Sequence, residues 1–133
     1  MMDLEAQTEL LRTGFSLGSL NIWLAANCRC EYCDEDLLRN GAVYTRGYQL
    51  DHIVPTRKGG GIEPENLALS CSPCNLMKRG WDPREPNVSL SRSDLIKRVR
   101  DYLSQKRSTA DESLRRHIPL LVRCGLPADR IRR

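Results

Sequence analysis

The chain has 133 residues, 40% hydrophobic and 29% charged, with a net charge of +4 and one Phe, two Trp and four Tyr. That length suits one ordinary domain with a small core, and a core of this size commonly needs a metal or disulfides as reinforcement. No stretch approaches the ~18 consecutive apolar residues of a membrane span. The start, MMDLEAQTELLRTG, carries acids where a signal peptide would be basic, so a cytoplasmic setting with reduced thiols is expected and a membrane partner is not.

Three segments are expected in chain order: a helical segment over 1–29, a cysteine-bracketed module over 30–83 and a basic helical segment over 84–133. In the first, residues 3–13 read as a helix with Leu4, Leu10 and Leu11 as its apolar contacts. Ser19 is placed to cap a second helix running to about Asn27, with Leu20, Trp23 and Leu24 on one face. In the second, Cys30-Glu31-Tyr32-Cys33 opens the module, and Asn40-Gly41 signals a turn. Ala42 to Tyr44 and Tyr48 to Val54 read as strand material ended by Pro55. A loop over 55–65 carries Gly59, Gly60 and Gly61 with Arg57 and Lys58. Asn66 to Ser70 reads as a further strand, and a short helix from about Ser72 to Arg79 is closed by Gly80. In the third, Leu95, Ile96, Val99, Tyr102 and Leu103 fall at helical spacing. Thr109 and Glu112 fit a capping box for a separate helix, which Pro119 should kink or split.

The charge is unevenly spread. Residues 84–133 hold 13 basic and 6 acidic residues, a net of +7, against 8 and 11, a net of −3, in residues 1–83. A basic segment beside a near-neutral module suits a polyanionic partner, most simply nucleic acid.

The cysteines carry the strongest chemical signal. Two C-x-x-C pairs, Cys30/Cys33 and Cys71/Cys74, supply the four thiolates of a tetrahedral structural zinc site. Cys28 could pair with Cys33 at wider spacing, although the tight C-x-x-C turn favours Cys30. Cys28 and Cys124 are expected to be ordinary thiols. Four thiolates fill the zinc shell, so this zinc would stabilise and not catalyse. Between the pairs, Asp51-His52 ends a strand, where adjacent side chains can reach one site. A neutral imidazole titrating near ~6.5 suits water activation, and a divalent cation on carboxylate and amide oxygens suits phosphate charge and the leaving oxygen. His117, the other histidine, lies in a basic helical segment and reads as a surface or packing residue.

These features together resemble the HNH endonucleases of the His-Me finger (ββα-metal) group. The residues that carry the resemblance are the paired knuckles, Leu50-Asp51-His52-Ile53-Val54-Pro55, Lys58-Gly59-Gly60-Gly61, Glu65-Asn66-Leu67 and Cys71-Ser72-Pro73-Cys74-Asn75. The resemblance implies an α+β fold: a small zinc-braced ββα-metal finger with flanking N- and C-terminal helices. It implies that His52 is the general base, Asn66 the residue that braces the loop and orients the histidine, and Asp51 a ligand of the catalytic cation. Asn75 stands where the family has its last histidine, which makes this an H-N-N variant whose amide oxygen suits Mg²⁺ or Mn²⁺. Arg57, Lys58, Lys78 and Arg79 are the expected nucleic-acid contacts, and DNA the expected substrate. Two other readings stay open at this point. One is a non-catalytic zinc module that binds nucleic acid. The other is a nuclease subunit that needs a protein partner docked through its C-terminal helices.

Overall fold

The computed structural model describes residues 3–131; Met1, Met2, Arg132 and Arg133, the extremes of the outer segments, lie outside it. Helix α1 (Leu4–Thr13) is capped by Asp3, whose Oδ1 accepts the Ala6 N–H at 3.0 Å. It buries none of its residues, and Leu4, expected as an apolar contact, is 74% exposed. Helix α2 (Leu17–Ala25) starts earlier than expected. Ser16, and not Ser19, is its cap, because the Ser16 hydroxyl accepts the Ser19 N–H at 3.1 Å. Leu20 and Trp23 are buried as expected, whereas Leu24 faces out. The Trp23 ring meets Phe15, Tyr44 and Tyr48 edge to face, with centroids 4.8–5.7 Å away, an arrangement favoured by the ring quadrupoles.

Residues 42–44 are not a strand. Asn40 caps helix α3 (Gly41–Arg46), its Oδ1 accepting the Val43 N–H at 2.9 Å, and Gly47 ends it. The β propensity of Val43 and Tyr44 yields to a cap at one end and to packing of both side chains on the core at the other. Strands β1 (Tyr48–His52) and β2 (Leu67–Cys71) pair antiparallel, with Tyr48 opposite Cys71 and His52 opposite Leu67. Two short 3₁₀ turns, Thr56–Lys58 and Pro64–Asn66, lie in the connection. Helix α4 (Ser72–Lys78) follows β2 directly, and its second residue is Pro73, where a missing N–H does no harm. This strand–strand–helix unit, flanked by helices on both sides, is the expected α+β architecture.

Helix α5 (Arg92–Arg123) is one continuous helix of 32 residues, about 48 Å long, and not two. Ser91 caps it, accepting the Asp94 N–H. The Thr109 hydroxyl bonds back to the Gln105 carbonyl within a running helix, because extending a helix is far easier than nucleating a new one. Pro119 falls in the final turns, where few helical bonds remain to be lost. Val99 and Leu103 are fully buried against the core, while the second half of α5 is largely exposed. Among the described residues, no helix is long and apolar enough to cross a membrane.

Candidate active site and metal centre

Backbone geometry delivers the four thiols to one point. The first knuckle turns tightly, with Asp34 N–H donating to the Cys30 carbonyl at 2.8 Å. The second straddles the β2–α4 junction. Among the described residues, Cys30, Cys33, Cys71 and Cys74 form the cluster able to hold a metal ion. Their sulfurs all lie within 4.8 Å of one another, with Cys33 and Cys71 3.6 Å apart. A tetrahedron with zinc–sulfur bonds of ~2.3 Å has edges of about 3.8 Å, so the donor set fits. Hydrogen bonding from Cys33, Cys71 and Cys74 holds the Cys30 thiol far below its ordinary value, and the same crowding pushes Cys71 and Cys74 up. Four thiolates this close need a cation among them. Cys28 stands apart, half-buried, its thiol pushed up by burial and by the Asp36 charge. Arg107 of α5 donates to Cys74 Sγ, a contact with no signal in the sequence beyond a basic residue on an amphipathic helix.

Asp51 and His52 line one pocket of about 200 Å³ together with Pro55, Thr56, Arg57, Arg79 and Gly80. The alternation of β1 points the two side chains to opposite faces, and the strand's end brings both to this pocket. Arg57 and Arg79 supply its positive charge. Arg79 also holds a left-handed backbone, φ 50° and ψ −127°, as the cap of α4. That conformation was expected at Gly80, and for a non-glycine residue it costs on the order of 1–3 kcal/mol.

Asn66, 8% exposed, sits behind the pocket and not in it. Its Oδ1 accepts the Val54 N–H at 2.9 Å, its Nδ2 donates to the carbonyls of Val54 at 3.0 Å and Gly61 at 2.8 Å, and its own carbonyl accepts the Ile53 N–H at 2.8 Å. It therefore grips the two residues after His52 and closes the glycine loop on them. Gly60 makes this closure possible, because a Cβ there would lie 1.8 Å from the Val54 carbonyl oxygen.

Lys78, expected to face phosphate, is instead buried at 1% exposure. Its Nζ lies 3.0 Å from Asp51 Oδ2 and donates to the His52 carbonyl at 3.0 Å. A buried carboxylate needs such a partner, and α4 packs against β1 where it can supply one. The same Oδ2 accepts the Tyr32 hydroxyl at 2.7 Å. Burial, with the Asp51 charge beside it, holds that phenol protonated well above its ordinary range. Tyr32 lies between two zinc-site cysteines, and its hydroxyl was the only clue in the sequence to this link. Asn75 is half-buried on α4, one turn before Arg79, outside the lining of the Asp51–His52 pocket. Lys58 is exposed on the 3₁₀ turn. Several basic residues of α5 turn inward: Arg92 pairs with Glu31 at 3.0 Å, Arg98 pairs with Glu85, and Arg100 donates to the Glu31 carbonyl at 2.6 Å. Residues 30–80 match the model of a protein family described as HNH endonuclease.

Proposed function

From the match of residues 30–80 to the HNH endonuclease family model, we propose that the protein hydrolyses phosphodiester bonds in DNA at the Asp51–His52 pocket. The observation that carries this reading is the convergence of an imidazole, a carboxylate and two guanidinium groups on one pocket, with the backbone behind it fixed by Asn66. His52 takes a proton from the attacking water. Arg57 and Arg79 hold the phosphate and offset its growing charge. Asn66 positions His52 through the backbone of Ile53 and Val54, and touches no substrate.

Tyr32 and Lys78 meet Asp51 at Oδ2, so Oδ1 is the oxygen that would hold a catalytic Mg²⁺ or Mn²⁺; Asn75, one turn before Arg79 and outside the pocket lining, would be its second protein ligand only by reaching in from α4. Such a cation, when bound, supplies Lewis-acid stabilisation to the phosphate and the leaving oxygen. Zinc on Cys30, Cys33, Cys71 and Cys74 is structural. In this reading residues 30–83 are the catalytic module and residues 1–29 a helical cover. The exposed basic residues of 84–133, such as Lys97, Arg115 and Arg116, add contacts to the DNA backbone that weaken steeply with salt.

Plasmid cleavage by zinc-loaded protein in Mg²⁺ or Mn²⁺ tests the reading. Cutting that disappears with EDTA and in His52→Ala is the expected result; a folded His52→Ala protein that cuts as fast as the parent refutes the mechanism. One observation favours a second reading. The Lys78 ammonium already neutralises Asp51, as it would in a zinc-braced module that binds nucleic acid without cutting it. Binding without cleavage under any cation is the outcome that selects it.

A further inference from the structure

Beyond the Asp51–His52 pocket the surface continues into a groove of about 670 Å³, lined by Leu76, Arg79, Gly80, Trp81, Tyr102 and Lys106 among others. Arg79 and Gly80 belong to both. Within the groove the rings of Trp81 and Tyr102 stack in parallel, with centroids 4.1 Å apart and planes within 3°, and Lys106 Nζ lies 5.4 Å from the Tyr102 centroid. A second cavity of about 510 Å³ extends the track along α5, sharing Met77, Tyr102 and Lys106. The groove lining brings basic side chains and no acid, among the described residues, and Leu76 is 68% exposed at its edge. Aromatic faces interleaved with cations are the recurrent means of holding unpaired bases, since every base has a π-face and every linkage a negative charge. The two rings are in contact, so a base would extend the stack from its outer face, and bases inside a duplex are already stacked on both faces and cannot do so.

We propose that this groove binds an unpaired nucleotide of single-stranded DNA next to the scissile phosphate, with its base against the Trp81–Tyr102 pair and its phosphate on Arg79 and Lys106. The protein would then act on single strands, or on junctions that expose them, in preference to intact duplex. The proposal rests on the reading of the neighbouring pocket as the cleavage site, and deepens it by naming the substrate class.

Tryptophan emission provides the test, because Trp23 is buried and Trp81 is the tryptophan at the groove. Zinc-loaded His52→Ala protein is titrated with a single strand of about 12 nucleotides, within the range of known single-strand sites, and with the matching duplex. Quenching by the single strand is expected, with tighter binding than to duplex. Trp81→Ala, which removes the reporter and is read by fluorescence anisotropy of a labelled strand, should weaken single-strand binding on the order of 10-fold, and Lys106→Glu, an exposed change that leaves the stack in place, should weaken it as well. Equal binding of both forms, or single-strand affinity unchanged in Trp81→Ala and Lys106→Glu, overturns the groove. Cutting of the same single strand and of plasmid by the parent protein, prepared in parallel, separates the two failures. His52-dependent cutting without quenching removes the groove and keeps the cleavage site. Quenching without cutting removes the cleavage site and keeps the groove as a binding site. Neither quenching nor cutting removes both.

Discussion

Tyr32→Phe isolates one hydrogen bond that joins the zinc knuckle to the carboxylate of the pocket. Tyr32 is 2% exposed and Asp51 7%, and the bond between them is 2.7 Å long. Phe keeps the ring and its packing, so no cavity opens. What is lost is one buried bond to a charged acceptor, worth about 1.5–3 kcal/mol. For a domain of this size that lowers Tm by roughly 5–15 °C. The functional effect is separate. Asp51 keeps Lys78 at 3.0 Å but loses the second anchor that fixes its plane, so Oδ1 would no longer be held in place for the proposed cation. Loss of such an outer partner typically weakens metal affinity by about 10–100-fold. The assay is cleavage rate against Mg²⁺ concentration, with Mn²⁺ binding measured by electron paramagnetic resonance on the same zinc-loaded protein. The half-saturating cation concentration should rise while the rate at saturation stays near that of the parent. An unchanged cation requirement alongside the expected loss of Tm would show that Tyr32 serves the fold alone, and would sink the argument that it aims Asp51.

Arg79→Gly relieves the left-handed backbone at the end of α4, so Tm should hold or rise by a few degrees while DNA affinity falls and the salt dependence of log K loses about one unit of slope; unaltered affinity would remove Arg79 from the phosphate contacts. Gly60→Ala drives a methyl into the Val54 carbonyl and the Asn66 side-chain amide, a clash of a side chain against fixed backbone expected to lower stability by about 1–3 kcal/mol in chemical denaturation and to slow cleavage; full activity at parental stability would show that the loop can open at no loss. Zinc removal should change thiol reactivity in a countable way. Of the six cysteines, the four of the cluster should be protected in zinc-loaded protein, leaving Cys28 and Cys124 to react, and all six should react after chelation; early reaction of Cys30 or Cys71 in the loaded protein would refute the ligand set.

The parts of the fold legible in the sequence are those whose cause is local. Two C-x-x-C turns, a β-rich run before a proline and a knuckle that opens a helix each carry their signal within a few residues, and the structure has them, although β1 ends at His52 and not at Val54 beside Pro55. The misreadings share another cause. Val43 and Tyr44 have strand propensity, but Asn40 beneath them and the Trp23 cluster beside them turn the segment into helix α3. Thr109 and Glu112 spell a helix start that a helix already under way overrides. Lys78 reads as a surface charge until α4 is laid against β1, when Asp51 claims it. The same docking makes Tyr32 an outer partner of the pocket, a relation across 19 positions that spacing cannot express. Arg79, read as a helix end, is also the residue that takes the strained turn, because no glycine stands at that position.

The first zinc knuckle has one more consequence, for solubility. A two-stranded sheet has two open edges, and an open edge is a template on which a neighbouring chain can pair. Here the outer edge of β2 is occupied. Glu31 donates its N–H to the Leu69 carbonyl at 2.8 Å and accepts the Leu69 N–H on its own carboxylate at 2.8 Å, while Arg92 donates to the Leu67 carbonyl at 2.8 Å. One residue of the knuckle thus imitates a third strand, and a helix arginine completes it. The metal that closes the knuckle therefore also keeps β2 from recruiting a stranger, and protein stripped of zinc should be lost to aggregation as readily as to unfolding.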